Sequence, residues 1–486
     1  MLSRPIALFT VLLLLSGCRS YTIDTRLCQG RPNVVVFFTD DQGFGDLSCY
    51  GHPTIRTPHV DRLAREGAKL TQFYVAAPVC SPSRAALLTG CYPKRVGMQR
   101  HVVFPPDDHG LHPQEVTIAE VLHDAGYRTG CFGKWHLGHR KGLLPCDQGF
   151  DEFFGVPYSN DMAQFHRRKG AKYEFHLPLM RDDRVIEWEP DQRALTRRYT
   201  DAVIDFMDRA RGQPFFAYVP YSMPHIPIYA SDEFRGQSAR GLYGDVIEEI
   251  DANVGRVLSW LDAHALADDT IVIFTSDNGP WLPFKERGGS AGPLRGGKGT
   301  NFEGGQRVPC VVRWPGRVTA SSLCTDPMTA MDLLPTLAGI CNATLPEVTI
   351  DGRDMGARLV DLARLPSGSK AFVATSGKTR EGLDEFVFLY YTSKGDLAGI
   401  RKGRWKLLLP NELHDVEVDV GEAWNRAAQH EDLVRDLTSL AKELDARIES
   451  EARPVHHSDE LVFDPRAPKD PNGQPFTMPD DRRRPQ

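Results

Sequence analysis

Two segments of this chain share one grammar: "NVVVFFTDDQG" and "TIVIFTSDNG". In the first, an apolar run at 34–38 leads into Asp40 and Asp41. In the second, a run at 271–274 leads into Asp277 and Asn278. Such runs are β-branched or aromatic at nearly every position and leave no polar face. They fit strands buried on both sides, as in a parallel sheet covered by helices. In open α/β sheets, ligands gather beyond the carboxyl ends of the strands, and both acidic pairs fall there. A third strand candidate, "PFFAYVPYSMPHIP", runs into His225, and a fourth, "YRTGCFGKWHLG", carries Lys134 and His136. Helical patterns lie between them. Thr117 is placed to cap "IAEVLHDAG", residues 194–210 space their apolar positions as a helix does, and Val246, Ile250, Val254, Leu258 and Leu261 share one helical face. Alternating strands and helices predict an α/β fold.

With 486 residues, 41% hydrophobic and 25% charged, the chain has length for one large domain and a smaller unit. Past residue 370 the pattern changes. "EFVFLYYTSKGDLAGIRKGRWKLLL" reads as short strands joined by turns at Gly395 and Gly403, and an amphipathic helix follows with Leu433, Leu437, Leu440, Leu444 and Ile448 on its apolar face. The expected division is a catalytic domain over 31–370, a small antiparallel sheet with one helix over 371–463, and a poorly packed tail over 464–486. A formal net charge of −6 gives no global basic field for nucleic acid.

The N-terminus reads as an export signal. Arg4 precedes an apolar run at 6–15 that is too short to span a bilayer. The "LSGC" ending at Cys18 is similar to a bacterial lipobox, so 1–17 is expected to be a lipoprotein signal peptide. The membrane is then reached by a lipid on Cys18 alone, in the periplasm or at the outer membrane and cell surface. Export permits disulfides among the remaining cysteines, with pairing not readable from spacing. No Cys/His cluster has zinc spacing.

Asp40, Asp41, Asp277 and Asn278 offer oxygen donors from two strand ends and suit a hard cation, Ca²⁺ or Mg²⁺. Either pair alone fits a turn or a helix cap; two pairs in one strand-end context point to a site. "APVCSPSRAALLTG" turns from loop to helix near Cys80, with Pro82 in the first turn and Arg84 about one turn on. A thiol at a helix start is expected to be acidified. Lys134 and His136, two apart on a strand, face the same way. Lys298 lies in the glycine-rich "GPLRGGKGTNFEGG", which can approach a ligand closely. Together these groups suit transfer of a compact tetrahedral oxyanion.

"CSPSRAALLTG" is similar to the sulfatase signature, and "TDDQGFGDLSCYG", "GKWHLG", "SDNGP" and "GKGTNFEGGQRVP" resemble the other blocks of the type I, formylglycine-dependent sulfatases, in order. "GFDEFFGVPYSNDM" and "RGLYGDVIEEID" look most like the arylsulfatase A branch, and "NELHDVEVDVGEAWNRA" resembles the family's C-terminal segment, with His414 where tyrosine is common. The resemblance implies an alkaline-phosphatase-like large mixed sheet flanked by helices, with the small C-terminal unit attached. It further implies Ca²⁺ on Asp40, Asp41, Asp277 and Asn278, and formylglycine made from Cys80 by a formylglycine-generating or anaerobic sulfatase-maturing enzyme. Arg84 would hold the modified residue, Lys134 and Lys298 would bind sulfate oxygens, and His136 would contact the hydrated aldehyde. His225 would protonate the leaving oxygen, and Ser159 would touch the sulfate region. The implied activity is hydrolysis of sulfuric esters, small aryl sulfates among them; anchoring at the cell surface makes sulfated glycans the expected natural substrate, with pocket-lining loops near 158–189 and 223–230. Two other readings use the same residues: a phosphoester or phosphonate hydrolase of the same superfold, and a non-catalytic surface protein that binds sulfated glycans.

Overall fold

The computed structural model describes residues 31–163, 175–361, 386–469 and 473–477. The export signal, Cys18 and the boundary expected at 370/371 lie outside these residues. The described strands are β1 (Asn33–Thr39), β2 (Ala68–Tyr74), β3 (His109–Gly110), β4 (Arg128–Lys134), β5 (Glu152–Val156), β6 (Pro178–Arg181), β7 (Arg184–Trp188), β8 (Phe215–Val219), β9 (Thr270–Ser276), β10 (Arg307–Arg313), β11 (Ser322–Cys324), β12 (Met328–Thr329), β13 (Val387–Tyr391), β14 (Leu397–Lys402), β15 (Trp405–Leu408), β16 (Glu412–Asp415) and β17 (His456–His457). The main sheet runs β11-β2-β10-β9-β1-β8-β4-β5-β6-β7, with β12 also against β2.

Its centre is parallel. β9, β1, β8, β4 and β5 are successive neighbours pointing one way. β10 runs against both β9 and β2, so β2 also points with the central group. β1, β8, β9 and β10 are buried along their whole length, as continuous apolar runs require. Helices pack in two groups. One holds α1 (Pro58–Glu66), α4 (Leu195–Arg209) and α5 (Leu242–Ala263); the other holds α2 (Cys80–Thr89), α3 (Ile118–Asp124) and α7 (Leu333–Ile340). Thr117 caps α3 in a reciprocal box with Glu120, as the sequence predicts. The apolar face expected over 246–261 is buried in α5.

The C-terminal strands form a separate antiparallel sheet, β13-β14-β15-β16, with α9 (Glu431–Ser450) against β14. Gly395 and Gly403 take left-handed φ of 84° and 56° at the two predicted turns. This sheet shares its apolar cluster with the main unit: Phe388, Tyr390 and Leu407 pack with Tyr74, Ala86 and Tyr92.

A buried ionic network reinforces that seam. The Lys406 ammonium lies 3.0 Å from Glu303 Oε1 and 2.8 Å from Glu422 Oε1, with all three side chains fully buried. The Tyr74 hydroxyl donates to Glu303 Oε2 (2.5 Å) and accepts from Arg401. Burial alone would push the Glu303 carboxyl up, but Lys406, Arg307 and Arg401 outweigh it and hold the group down at about 2.

One sequence expectation is corrected. The segment from 464 onward is not loosely attached where it is described: Pro465 and Lys469 carbonyls accept from the His176 amide (2.8 Å) and the Trp188 indole (2.7 Å), and Phe476 stacks edge-on against His176. Proline and charge in the tail conceal these backbone anchors. The described cysteines all carry free thiols. No helix among the described residues is long and apolar enough to cross a membrane.

Lys406→Met removes the buried cation that Glu303 and Glu422 share. Removing one member of such a network costs about 3–5 kcal/mol. Urea denaturation of the variant should show that loss, and adding Glu303→Gln should recover part of it. An unchanged midpoint in Lys406→Met would mean that the network holds nothing.

Candidate active site

Every candidate residue lies at the carboxyl edge of the parallel strands, where register fixes its neighbours. β1 and β9 pair from Asn33↔Thr270 to Thr39↔Ser276, so Asp40-Asp41 and Asp277-Asn278 emerge side by side. The Asp41 amide donates to Asp277 Oδ1 (3.1 Å), and the Asn278 side-chain amide to Asp41 Oδ1 (2.7 Å). β4 ends on Lys134, β8 leads to His225, and β5 leads to Ser159. β2 leads into α2, whose first residue is Cys80.

Close backbone approach sets the spacing between β4 and the loop after β8. Gly133 has φ 146°, and a Cβ there would meet the Pro220 carbonyl oxygen at 2.0 Å. The next amide, Lys134 N–H, donates to that oxygen at 2.7 Å. Asp41 and His136 also take left-handed φ, 65° and 66°, which side-chain-bearing residues rarely adopt. Such strain persists where the surrounding structure imposes it.

The centre is a lattice of buried charges. Lys134 Nζ donates to Asp40 Oδ2 at 2.6 Å, with both side chains fully buried. The Arg84 guanidinium binds Asp277 Oδ2 through Nε (3.1 Å) and Nη2 (2.7 Å), and its Nη1 donates to the Lys134 carbonyl (2.7 Å). Lys298 Nζ reaches Asp41 Oδ1 at 2.7 Å and Cys80 Sγ at 3.5 Å. Cys80 Sγ is also 3.5 Å from Asp40 Oδ1. Burial would raise the Asp40 carboxyl, yet Lys134, His225 and Arg84 hold it well below the usual range. Burial pushes Asp41 up, and burial with the neighbouring Asp40 pushes Asp277 up to about 7.

The donor set fits a hard divalent cation. Among the described residues, Asp40, Asp41, Cys80 and His225 place potential ligand atoms within 4.8 Å of one another. Asp277 and Asn278 adjoin this group through Asp41. Asn278 Oδ1 is buried without a hydrogen-bond partner, an acceptor that a cation would satisfy.

The acidified thiol expected at Cys80 is not found. Cys80 does open α2, but it is only 1% exposed, and burial pushes its thiol well above the ordinary value despite Lys134 and Lys298. Desolvation here outweighs the helix terminus.

The histidines have assignable tautomers. His225 Nδ1 lies 2.6 Å from the Ile226 carbonyl, so that nitrogen bears the proton and Nε2 faces Asp41 Oδ2 at 3.7 Å. Ser159 Oγ stands 3.4 Å from His225 Nδ1. His136 Nε2 lies 3.0 Å from the Val103 carbonyl, leaving Nδ1 as a buried acceptor without a partner. Burial lowers both imidazoles well below their ordinary value, and nearby cations add to it: Lys298 at His225, Lys134 at His136. Of the loop expected to line the pocket near 158–189, residues 164–174 lie outside the described set.

Three residues that support the site escape sequence reasoning. Asp46 accepts the amides of Gly43 and Ser290, each at 2.7 Å, and the Tyr243 hydroxyl at 2.6 Å, stapling the loop after β1 to residue 290. Glu303 anchors the Lys298 loop. Trp281 packs 5.4 Å from the His225 ring, between centroids. Only Trp281 leaves a local signal, a large aromatic three residues past Asn278.

A family model described as Sulfatase matches residues 32–343. Human arylsulfatase A is 42% identical over 356 residues, covering 70% of each chain. Mouse steryl-sulfatase is 39% identical over 400 residues, covering 67% of this chain and 64% of its own. The solved structure of Ps i-CgsB in complex with k-i-k-neocarrahexaose superposes with a TM-score of 0.75 at 28% identity, covering 88% of this chain and 96% of that one. The fold is the one these relatives share, and the chain belongs to the sulfatase family, whose reaction is the hydrolysis of sulfuric esters.

Proposed function

We propose that Cys80 is converted to formylglycine, that Asp40, Asp41, Asp277 and Asn278 hold a divalent cation, and that the enzyme removes sulfate from glycans outside the cytoplasm. Ca²⁺ is the first candidate for the cation and Mg²⁺ the second. The observation that carries this reading is the setting of Cys80: it opens a buried helix 3.5 Å from both Asp40 and Lys298, with its thiol pushed up by burial. When present, the cation supplies positive charge to sulfate oxygens, and the hydrated aldehyde supplies an oxygen nucleophile.

Lys134 and Lys298 bring two ammonium groups to the same centre and would spread the sulfate charge. Arg84 locks Asp277 and the end of β4 in place, which fixes Lys134. His225 keeps Nδ1 on the Ile226 carbonyl, so Nε2, unprotonated at rest, is the atom that would take up the proton released by the attacking hydroxyl and pass it to the departing oxygen. His136 keeps Nε2 on Val103, so Nδ1 is the acceptor for a proton released as sulfate leaves. Ser159 borders His225 and would help to orient it. Support for a glycan comes from the relative bound to neocarrahexaose. Export with a lipid on Cys18 would place the enzyme where such polymers occur, and a maturing enzyme must act on Cys80 first.

Maturation is tested by intact mass of the peptide spanning 77–84 in active protein, which should show an aldehyde or its hydrate in place of the thiol. Full turnover by protein carrying only the thiol would overturn the assignment. Paired aryl sulfate and aryl phosphate assays should show clear preference for sulfate.

The cation is tested by chelation. Activity should fall and return with Ca²⁺ or Mg²⁺, and the thermal stabilisation by added cation should be absent in Asp277→Ala. Activity that survives exhaustive chelation would sink the assignment.

His225→Ala should lower desulfation of a sugar sulfate by about 10²-fold or more, because a poor leaving group depends on its acid. The same variant should lose far less on 4-nitrophenyl sulfate. Equal losses on both substrates would remove the general-acid role.

A further inference from the structure

The rim of the site beside His225 is aromatic. Trp281 follows the Asp277-Asn278 turn and is half-buried. Its ring centre lies 5.4 Å from that of His225, tilted by 53°. Lys298 Nζ stands 4.4 Å above the same indole. One ring therefore borders both the ammonium that would hold a sulfate oxygen and the imidazole that would protonate the leaving oxygen.

The indole is held in register with these groups. The Pro280 carbonyl accepts the amides of Leu282 (3.1 Å) and Lys298 (2.9 Å), joining the turn that carries Trp281 to the loop that carries Lys298. There is no slack at this junction: a Cβ on Gly297 would meet the Pro280 oxygen at 2.3 Å. Trp281 also packs against Phe284 in a T-shaped contact, centroids 4.8 Å apart and planes at 67°. Leu282 and Pro283, between the two rings, are exposed, so this wall stands at the opening rather than in the core.

We propose that Trp281 is a specificity-determining residue: its indole is the platform on which the ring of the leaving alcohol stacks. A leaving oxygen within reach of His225 Nε2 puts the group that bears it against this wall. A flat apolar face suits an aromatic ring or the C–H face of a pyranose and offers little to a short open-chain alcohol. The contact therefore favours ring-bearing leaving groups over short open-chain ones. This inference rests on the sulfatase reading of the site and adds a contact to the leaving group, apart from sulfate itself.

The test compares wild-type holoenzyme with Trp281→Ala and Trp281→Leu. KM and kcat are measured on 4-nitrophenyl sulfate and on a pyranose 6-sulfate, and inorganic sulfate is titrated as a competitive inhibitor. Both variants should raise KM for the ring esters by about tenfold, while the inhibition constant for sulfate stays within about twofold of wild type. Trp281→Leu keeps apolar bulk and serves if Trp281→Ala does not fold. A parallel weakening of sulfate inhibition would show that the indole acts only through Lys298, and the proposal would fall. It would fall equally if KM did not change in a folded variant. Failure of the sulfatase reading is separate and visible first, as a matured, metal-loaded wild type that turns over no sulfate ester.

Discussion

Three carboxylates at the ends of two adjacent strands are almost fully buried, and the rest of the site is organised around that charge. A buried carboxylate is costly unless paired and hydrogen-bonded. Lys134 answers Asp40, Arg84 answers Asp277, and Lys298 answers Asp41. Each pairing joins a different part of the chain to the β1–β9 seam: β4, the buried helix α2, and the loop before β10. The cations proposed to meet an anionic substrate thus also hold the scaffold together. The enzyme is pre-organised because its resting site needs the same positive charges.

Much of this arrangement was legible in the sequence, and for a definite reason. Continuous apolar runs announce doubly covered strands, and residues just past such strands gather on one edge of a parallel sheet. Asp40, Asp41, Lys134, His225, Asp277 and Asn278 could be placed on that edge from such runs alone, whereas Ser159 came only from the family resemblance. The antiparallel C-terminal sheet was likewise written in its turn glycines and alternating pattern.

What stayed hidden depends on three-dimensional surroundings. The Cys80 thiol is the clearest case: its position at a helix start is local information, but its burial comes from the whole fold and reverses the direction of the shift. The partnership of Glu303 with Lys406 spans more than a hundred residues, and neither side chain stands out in its own segment. The segment past residue 464 was misread because its attachments use backbone carbonyls, which composition does not reveal.

The seam between the two sheets has a consequence for how damage to this protein would look. Lys298 is bracketed by Arg295, which bonds Glu412 and the Glu422 carbonyl, and by Glu303, which meets Lys406 and the Glu422 carboxylate. The small C-terminal sheet is therefore the far wall of the mould in which the Lys298 loop is cast. A genetic screen for inactive alleles should recover hits at Lys406, Glu422 and Arg401, far along the chain from the groups proposed to handle sulfate. A library that exchanges this sheet among relatives should yield working enzymes only when residues 295–303 travel with it.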